Sequence, residues 1–148
     1  MIRVMRFHPH DLPPEAEDFL AERHLATLTT LRASGAPHVV PVGFTYDSEV
    51  GLVRIITRAG SQKVRNIEAH PGRRAVVCQV DGARWMSFEG PAEVSDTSER
   101  IDEAVDRYSL RYRAPGDRAD RVVIEISVDR ITGSLPAETD HPRNTTPR

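Results

Sequence analysis

The dipeptide Asp81-Gly82 stands between an apolar run at 74–80 and a longer alternating run at 84–94. No other feature constrains the fold as much. Asp-Gly between two such runs is a strong hairpin signal, so the flanking runs return antiparallel. The second run puts Trp85, Ser87 and Glu89 on one face and Met86, Phe88 and Gly90 on the other. The first is nearly all apolar and predicts burial on both faces.

The rest of the chain repeats this pattern. A threonine-rich strand over 25–32 leads through Ala33-Ser34-Gly35-Ala36 into a strand over 37–46. Pro41 inside that second strand has no N–H for a ladder, so the strand lies on an edge, bends, or faces a ligand there. Asp47-Ser48-Glu49 turns into a third strand, 51–57. A sixth strand covers 121–127, and 129–133 extends it or forms a seventh. Three helices interrupt the strands. Pro13-Pro14 followed by acids opens one, with Ala16, Phe19 and Leu20 inward and His24 at its end. A second follows Gly60 and stops at His70-Pro71-Gly72. The third is announced by Asp96 and Glu99 as a capping pair. It carries Ile101, Ala104, Val105, Tyr108 and Tyr112 on one face, with Arg107, Arg111 and Arg113 outside. The expected fold is a small antiparallel barrel of six or seven strands with about three flanking helices. Its domain covers 12–134, after an extended lead-in (1–11) and before a flexible polar tail (135–148).

Composition narrows the function. The formal charge of −2 argues against a nucleic-acid binder, which needs a basic field. One cysteine, Cys78, allows no intrachain disulfide and reads as a small strand residue. No stretch approaches the ~20 apolar residues of a membrane span, and the first residues lack a signal-peptide core, so a cytoplasmic protein is expected. No Ser/His/Asp set, carboxylate pair or His/Cys metal spacing stands out. Neither a catalytic acid–base residue nor a metal is therefore expected.

The stretch from Ile55 to Ile67 carries the chemistry. It runs as an apolar strand, breaks at Ala59-Gly60, and continues as a helix. A helix start offers free N–H groups and the positive end of the dipole, which together suit an anion. Ser61 can cap the helix or give its hydroxyl to a phosphate oxygen. Arg58, Lys63 and Arg65 add charge, and Lys63 is the only lysine in the chain. A phosphorylated cofactor is expected at this turn.

In order and spacing, Leu28-Thr29-Thr30-Leu31-Arg32, the strand Pro37 to Phe44, Gly60-Ser61-Gln62-Lys63, and Gln79-Val80-Asp81-Gly82-Ala83-Arg84-Trp85 form a recognisable series. The chain over about 15–134 resembles the split β-barrel flavin and deazaflavin oxidoreductases, the superfamily of pyridoxamine-phosphate oxidase, and within it the branch that uses coenzyme F420. The resemblance implies a homodimer with two sites at the subunit interface. It implies that Ser61, Gln62 and Lys63 hold the cofactor phosphate, with Arg65 and Asn66 on the same helix. His38, Val39, Val40, Pro41 and Val42 would lie along the ring, and Ile56 and Thr57 against the ring or its ribityl chain. Gln79, Arg84 and Trp85 would reach the site, and Arg58, Arg65, Arg73 or Arg74 would meet an acidic oligoglutamate tail. Gln62 replaces an arginine of the FMN-using relatives, which favours F420 over FMN. The implied activity is hydride transfer to a small conjugated substrate such as biliverdin, a quinone or an enone. The alternatives are an FMN-dependent oxidase of the pyridoxamine-phosphate-oxidase type and a non-catalytic carrier of a flavin, deazaflavin or haem-like ligand.

Overall fold

The computed structural model describes residues 3–137. Its elements, in chain order, are β1 (Met5–Phe7), α1 (Pro14–Ala21), β2 (Ala26–Leu31), β3 (Pro37–Val42), β4 (Thr45–Asp47), β5 (Leu52–Arg58), α2 (Gln62–Ala69), β6 (Arg74–Asp81), β7 (Arg84–Ser95), α3 (Ser98–Arg111), β8 (Arg121–Ser127) and β9 (Arg130–Ser134). Among the described residues no helix is long and apolar enough to cross a membrane.

The strands pair antiparallel in the order β3-β2-β6-β7-β8-β5-β4, and β9 joins β7 to β1. β3 and β4 are the two ends of this path, yet only Gly43 and Phe44 separate them in the chain. A flat path of seven strands would hold its ends roughly 29 Å apart at ~4.8 Å per strand. A two-residue link reaches about 10 Å. The sheet therefore curls until its ends meet, giving a barrel that stays split along the β3/β5 seam. The antiparallel split barrel stands as expected, but with nine strands. The expected strand over 37–46 breaks at Gly43-Phe44 into β3 and β4. The lead-in contributes β1, too short to show an alternation, and 130–134 pairs as a separate strand.

β7 makes the curl possible. Residues 84–91 pair with β6 along one edge, while on the other edge 85–89 pair with β9 and 92–95 with β8. Gly90 and Pro91 lie at the changeover. A Cβ on Gly90 would stand 1.9 Å from the Ser127 carbonyl oxygen, so only glycine lets the two backbones approach.

The barrel interior is packed by Leu28, Phe44, Val53, Ile55, Val77, Met86, Phe88, Ile124, Ile126 and Ile131. The Phe88 ring lies 5.6 Å from Phe44 and 4.9 Å from Tyr46 between centroids. Each such side chain stabilises the fold by about 1.5–3 kcal/mol through burial alone. The predicted faces of β7 and α1 are observed. The two-faced burial expected for 74–80 is not. Val76 and Cys78 are half-buried and Val80 is 58% exposed. α2 packs on β2 and β7, and α3 on β4, β5 and β8.

Two expectations for α3 fail. Its N-cap is Thr97 rather than Asp96, and the cap makes no side-chain bond; Ser95 Oγ accepts the Thr97 N–H at 3.3 Å instead. Arg111, placed on the outer face, is 8% exposed. Its guanidinium donates to the carbonyls of Glu22 and Phe44 and to Gln79 Oε1, and lies over the Phe44 and Tyr112 rings. Hydrogen bonds to three acceptors and two aromatic faces offset the cost of burying one arginine. Residues 135–137 carry no regular structure, and the rest of the expected tail lies outside the described residues.

Candidate functional site

The seam between β3 and β5 opens into a cleft of about 350 Å³. Pro41, Val42 and Gly43 form one wall, and Ile56, Thr57 and Arg58 the other. Lys63 enters from α2, Tyr108 from α3, and Pro115, Arg118 and Arg121 from the segment before and into β8. β3 reaches this position because it is the sheet's edge, where the missing N–H of Pro41 breaks no ladder on its open side. Gly43 is needed for the opposite reason. A Cβ there would lie 3.0 Å from Tyr108 and 3.3 Å from Tyr112, so a side chain would push α3 off the seam.

The turn from β5 into α2 is fixed by its backbone. The Ser61 N–H donates to Arg58 O at 3.2 Å, and the Ala59 N–H donates to Asp120 O at 2.9 Å. Ser61 is the N-cap residue of α2, and the first intrahelical bond runs from the Arg65 N–H to Ser61 O at 3.1 Å. The N–H groups of Gln62, Lys63 and Val64 therefore have no carbonyl of the helix to donate to. Ser61 does not cap them with its side chain. Its residue is 5% exposed, and its Oγ is buried with no hydrogen-bond partner. His38 Nδ1 is the other buried side-chain atom without a partner among the described residues. A buried hydroxyl left unpaired costs ~1–3 kcal/mol.

Lys63 is half-buried and its pKa is pushed down, first by burial and then by the Arg58 charge. Burial, with Arg32 and Lys63 behind it, likewise pushes His38 below the ordinary histidine value. Both groups are shifted first by loss of water and second by a neighbouring cation. Lys63 lines the cleft and Ser61 lies behind it; an unpaired hydroxyl, free amides and a desolvated ammonium at the start of one helix fit a phosphate group.

Three other expected ligands support the turn rather than point into it. Arg65 donates to Gly60 O at 3.1 Å and to Gln62 Oε1 at 2.8 Å. Gln62 Nε2 donates to Asn66 Oδ1 at 2.6 Å, and buried Asn66 donates to Thr30 Oγ1 at 3.0 Å. The chain of bonds ties the first turn of α2 to β2. Val40 is half-buried, and Val39 is exposed on the opposite, outward face.

The second motif does not reach the cleft. Gln79 is wholly buried, donating to Phe19 O at 2.9 Å and accepting from Arg111, which corrects its expected ligand role. Arg84 lies over the Phe19 ring and is shared by Glu22 and Asp81, with N–O distances of 2.6 and 2.5 Å. These pairs pull the Glu22 carboxyl down to about 2. Trp85 is half-buried on the outward face of β7, opposite Val80. Arg74 is held by both oxygens of Asp129 at 2.7 Å, and Arg73 Nη1 donates to Arg32 O at 3.4 Å. Of the arginines expected to meet an acidic tail, Arg58 alone lines the cleft. Gly43, Tyr108, Pro115, Arg118 and Arg121 were missed. Tyr108 had been given the inward face of its helix, which was the one usable signal; the loop arginines carried none.

Residues 12–134 match the family described as pyridoxamine 5'-phosphate oxidase. The chain is 50% identical over 123 residues to the F420H2-dependent biliverdin reductase of Mycobacterium tuberculosis (strain CDC 1551 / Oshkosh), covering 83% of this chain and 88% of that one. A solved structure titled F420 Reductase superposes with a TM-score of 0.62 at 28% identity, over 81% of this chain and 98% of its own. A conserved hypothetical protein of Mycobacterium tuberculosis gives a TM-score of 0.73 at 22% identity, over 97% and 98% of the two chains, which speaks for the fold alone. Because the family match over residues 12–134 includes the seam and the α2 turn, the chain belongs to the pyridoxamine 5'-phosphate oxidase family.

Proposed function

We propose that the chain is an F420-dependent reductase that holds the deazaflavin coenzyme in the seam and passes a hydride to a conjugated acceptor. Biliverdin is the leading candidate, with quinones and enones behind it. The 50% identical relative supports the coenzyme and the substrate class. The observation that carries the reading is the buried, unpartnered Ser61 hydroxyl beside the free amides of α2 and Lys63.

When bound, the coenzyme supplies the hydride from C5 of its ring. The protein's part is to bind, orient and exclude water. Ser61, Lys63 and the first N–H groups of α2 grip the phosphate. Pro41, Val42 and Ile56 give the ring apolar walls, and the edge position of β3 lets the ring lie along the strand. Fixing the ring against the acceptor supplies most of the rate gain in such a reaction. Arg58, Arg118 and Arg121 receive the acidic arm where the cleft opens.

We also infer a homodimer. The outward face carries Val39 at 56% and Val80 at 58% exposure, with Val76, Cys78 and Trp85 half-buried beside them. Cross-strand register aligns Val39, Thr29 and Val76, and pairs Val80 with Trp85. An apolar face of this kind favours a second copy of the chain over water. Pro41, exposed on β3, borders both this face and the cleft.

The test is F420 binding by fluorescence quenching. The unaltered protein should bind, and Lys63→Ala should weaken affinity about tenfold or more, the loss of one charge-assisted contact. Unchanged affinity would remove the phosphate assignment. A yellow protein purified with FMN would favour the oxidase alternative. Reoxidation of reduced F420 on adding biliverdin separates enzyme from carrier.

A further inference from the structure

His38 has a place in this site that the turn alone does not explain. It faces Thr30 across the β2–β3 register, and Thr30 is buried on the inward face. Directly opposed residues hold their Cβ atoms ~4.5–5.5 Å apart. Thr30 Oγ1 accepts from Asn66, which accepts from Gln62 in the first turn of α2. His38 therefore sits at the corner where β2, β3 and the start of α2 meet. Its Nδ1 is buried without a partner, as is Ser61 Oγ. The charged groups that act on it are Arg32 from the turn after β2 and Lys63 from α2, and no carboxylate joins them among the described residues.

We propose that His38 is a proton-linked ligand of the anion held at the α2 turn, neutral when the turn is empty and imidazolium when the anion is bound. This rests on the phosphate reading above. In the free protein, burial and two cations disfavour a third positive charge. An anion between Lys63 and the ring reverses the sign of the local field and gives Nδ1–H an acceptor. The free site then carries no charged histidine without a counter-ion, and anion binding takes up a proton near neutrality. The sign follows from linkage. A group whose pKa rises on binding strengthens binding at low pH, and that gain is lost as pH rises through the bound-state value.

The experiment uses the full chain. The His38 ring resonances are titrated by NMR without and with saturating sulfate, which does not itself titrate in this range. F420 affinity is measured near pH 6 and near pH 8.5, on either side of the ordinary histidine value of about 6.5, for the unaltered protein, His38→Gln and Lys63→Ala. Sulfate should raise the His38 midpoint by about one unit, and the His38→Gln penalty should be roughly three- to eightfold near pH 6 and close to none near pH 8.5. The ratio between variants cancels the coenzyme's own titration. A penalty that is flat with pH, or an unmoved His38 midpoint in sulfate, overturns the proposal while Lys63→Ala still loses binding. Absence of F420 and sulfate binding to the unaltered protein overturns it together with the phosphate reading. If His38→Gln fails to fold, the NMR shift on the unaltered protein decides.

Discussion

Replacing Arg111 with leucine tests how α3 is held to the barrel. The guanidinium satisfies Glu22 O at 3.0 and 2.9 Å, Phe44 O at 2.7 Å, and Gln79 Oε1. Leucine takes a donor from all three acceptors, although Glu22 O keeps the His24 N–H at 3.1 Å. At about 1–3 kcal/mol for each buried group left unmade, the gross loss is roughly 3–9 kcal/mol. The low end applies, because Tyr112 Oη still reaches Phe44 O at 3.4 Å and burying leucine avoids the desolvation that pulls the Arg111 pKa down. The expected net loss is about 3 kcal/mol, or a fall of roughly 6–12 °C in Tm for a chain of this size. Urea melts at neutral pH measure it. Gln79→Leu in the same background removes one stranded acceptor, so the double variant should lose about 1–2 kcal/mol less than the sum of the singles. A single-variant loss under about 1 kcal/mol, or strict additivity, would refute the view that this arginine is an interior hydrogen-bond hub.

Other outcomes follow from the same structure. Glu22→Gln should cost about 1 kcal/mol at neutral pH, discounted for its exposure, and the difference should vanish in acid. The carboxyl is held at about 2 in the fold against 4.5 unperturbed, so its contribution is full above about pH 4.5 and lost as pH falls toward 2; urea melts at pH 7 and pH 3 show this. Gly90→Ala drives a methyl group into Ser127 O and should destabilise by on the order of 3 kcal/mol or fail to fold, read by thermal melting. Val80→Arg on the outward face should leave the fold intact and shift a dimer to monomers by light scattering; an unchanged mass would remove the dimer face proposed here.

The local elements and the strand-to-helix turn at 59–61 are legible in the sequence because each depends on near neighbours. Asp81-Gly82 dictates its own turn, the alternation of 84–94 sets which residues face inward, and Ala59-Gly60-Ser61 ends a strand and starts a helix within a few bonds. The tertiary structure decided what depends on residues far apart. The short Gly43-Phe44 link curls the sheet and creates the seam, which brings Pro41 to Ile56 and sets Tyr108, Arg118 and Arg121 over them. The same closure turned Arg111 inward and enclosed Gln79, although helix periodicity put one outside and motif likeness put the other at the ligand. A side chain's periodicity reports its own element, whereas its partners are chosen by whichever backbone carbonyls the curled sheet leaves unpaired.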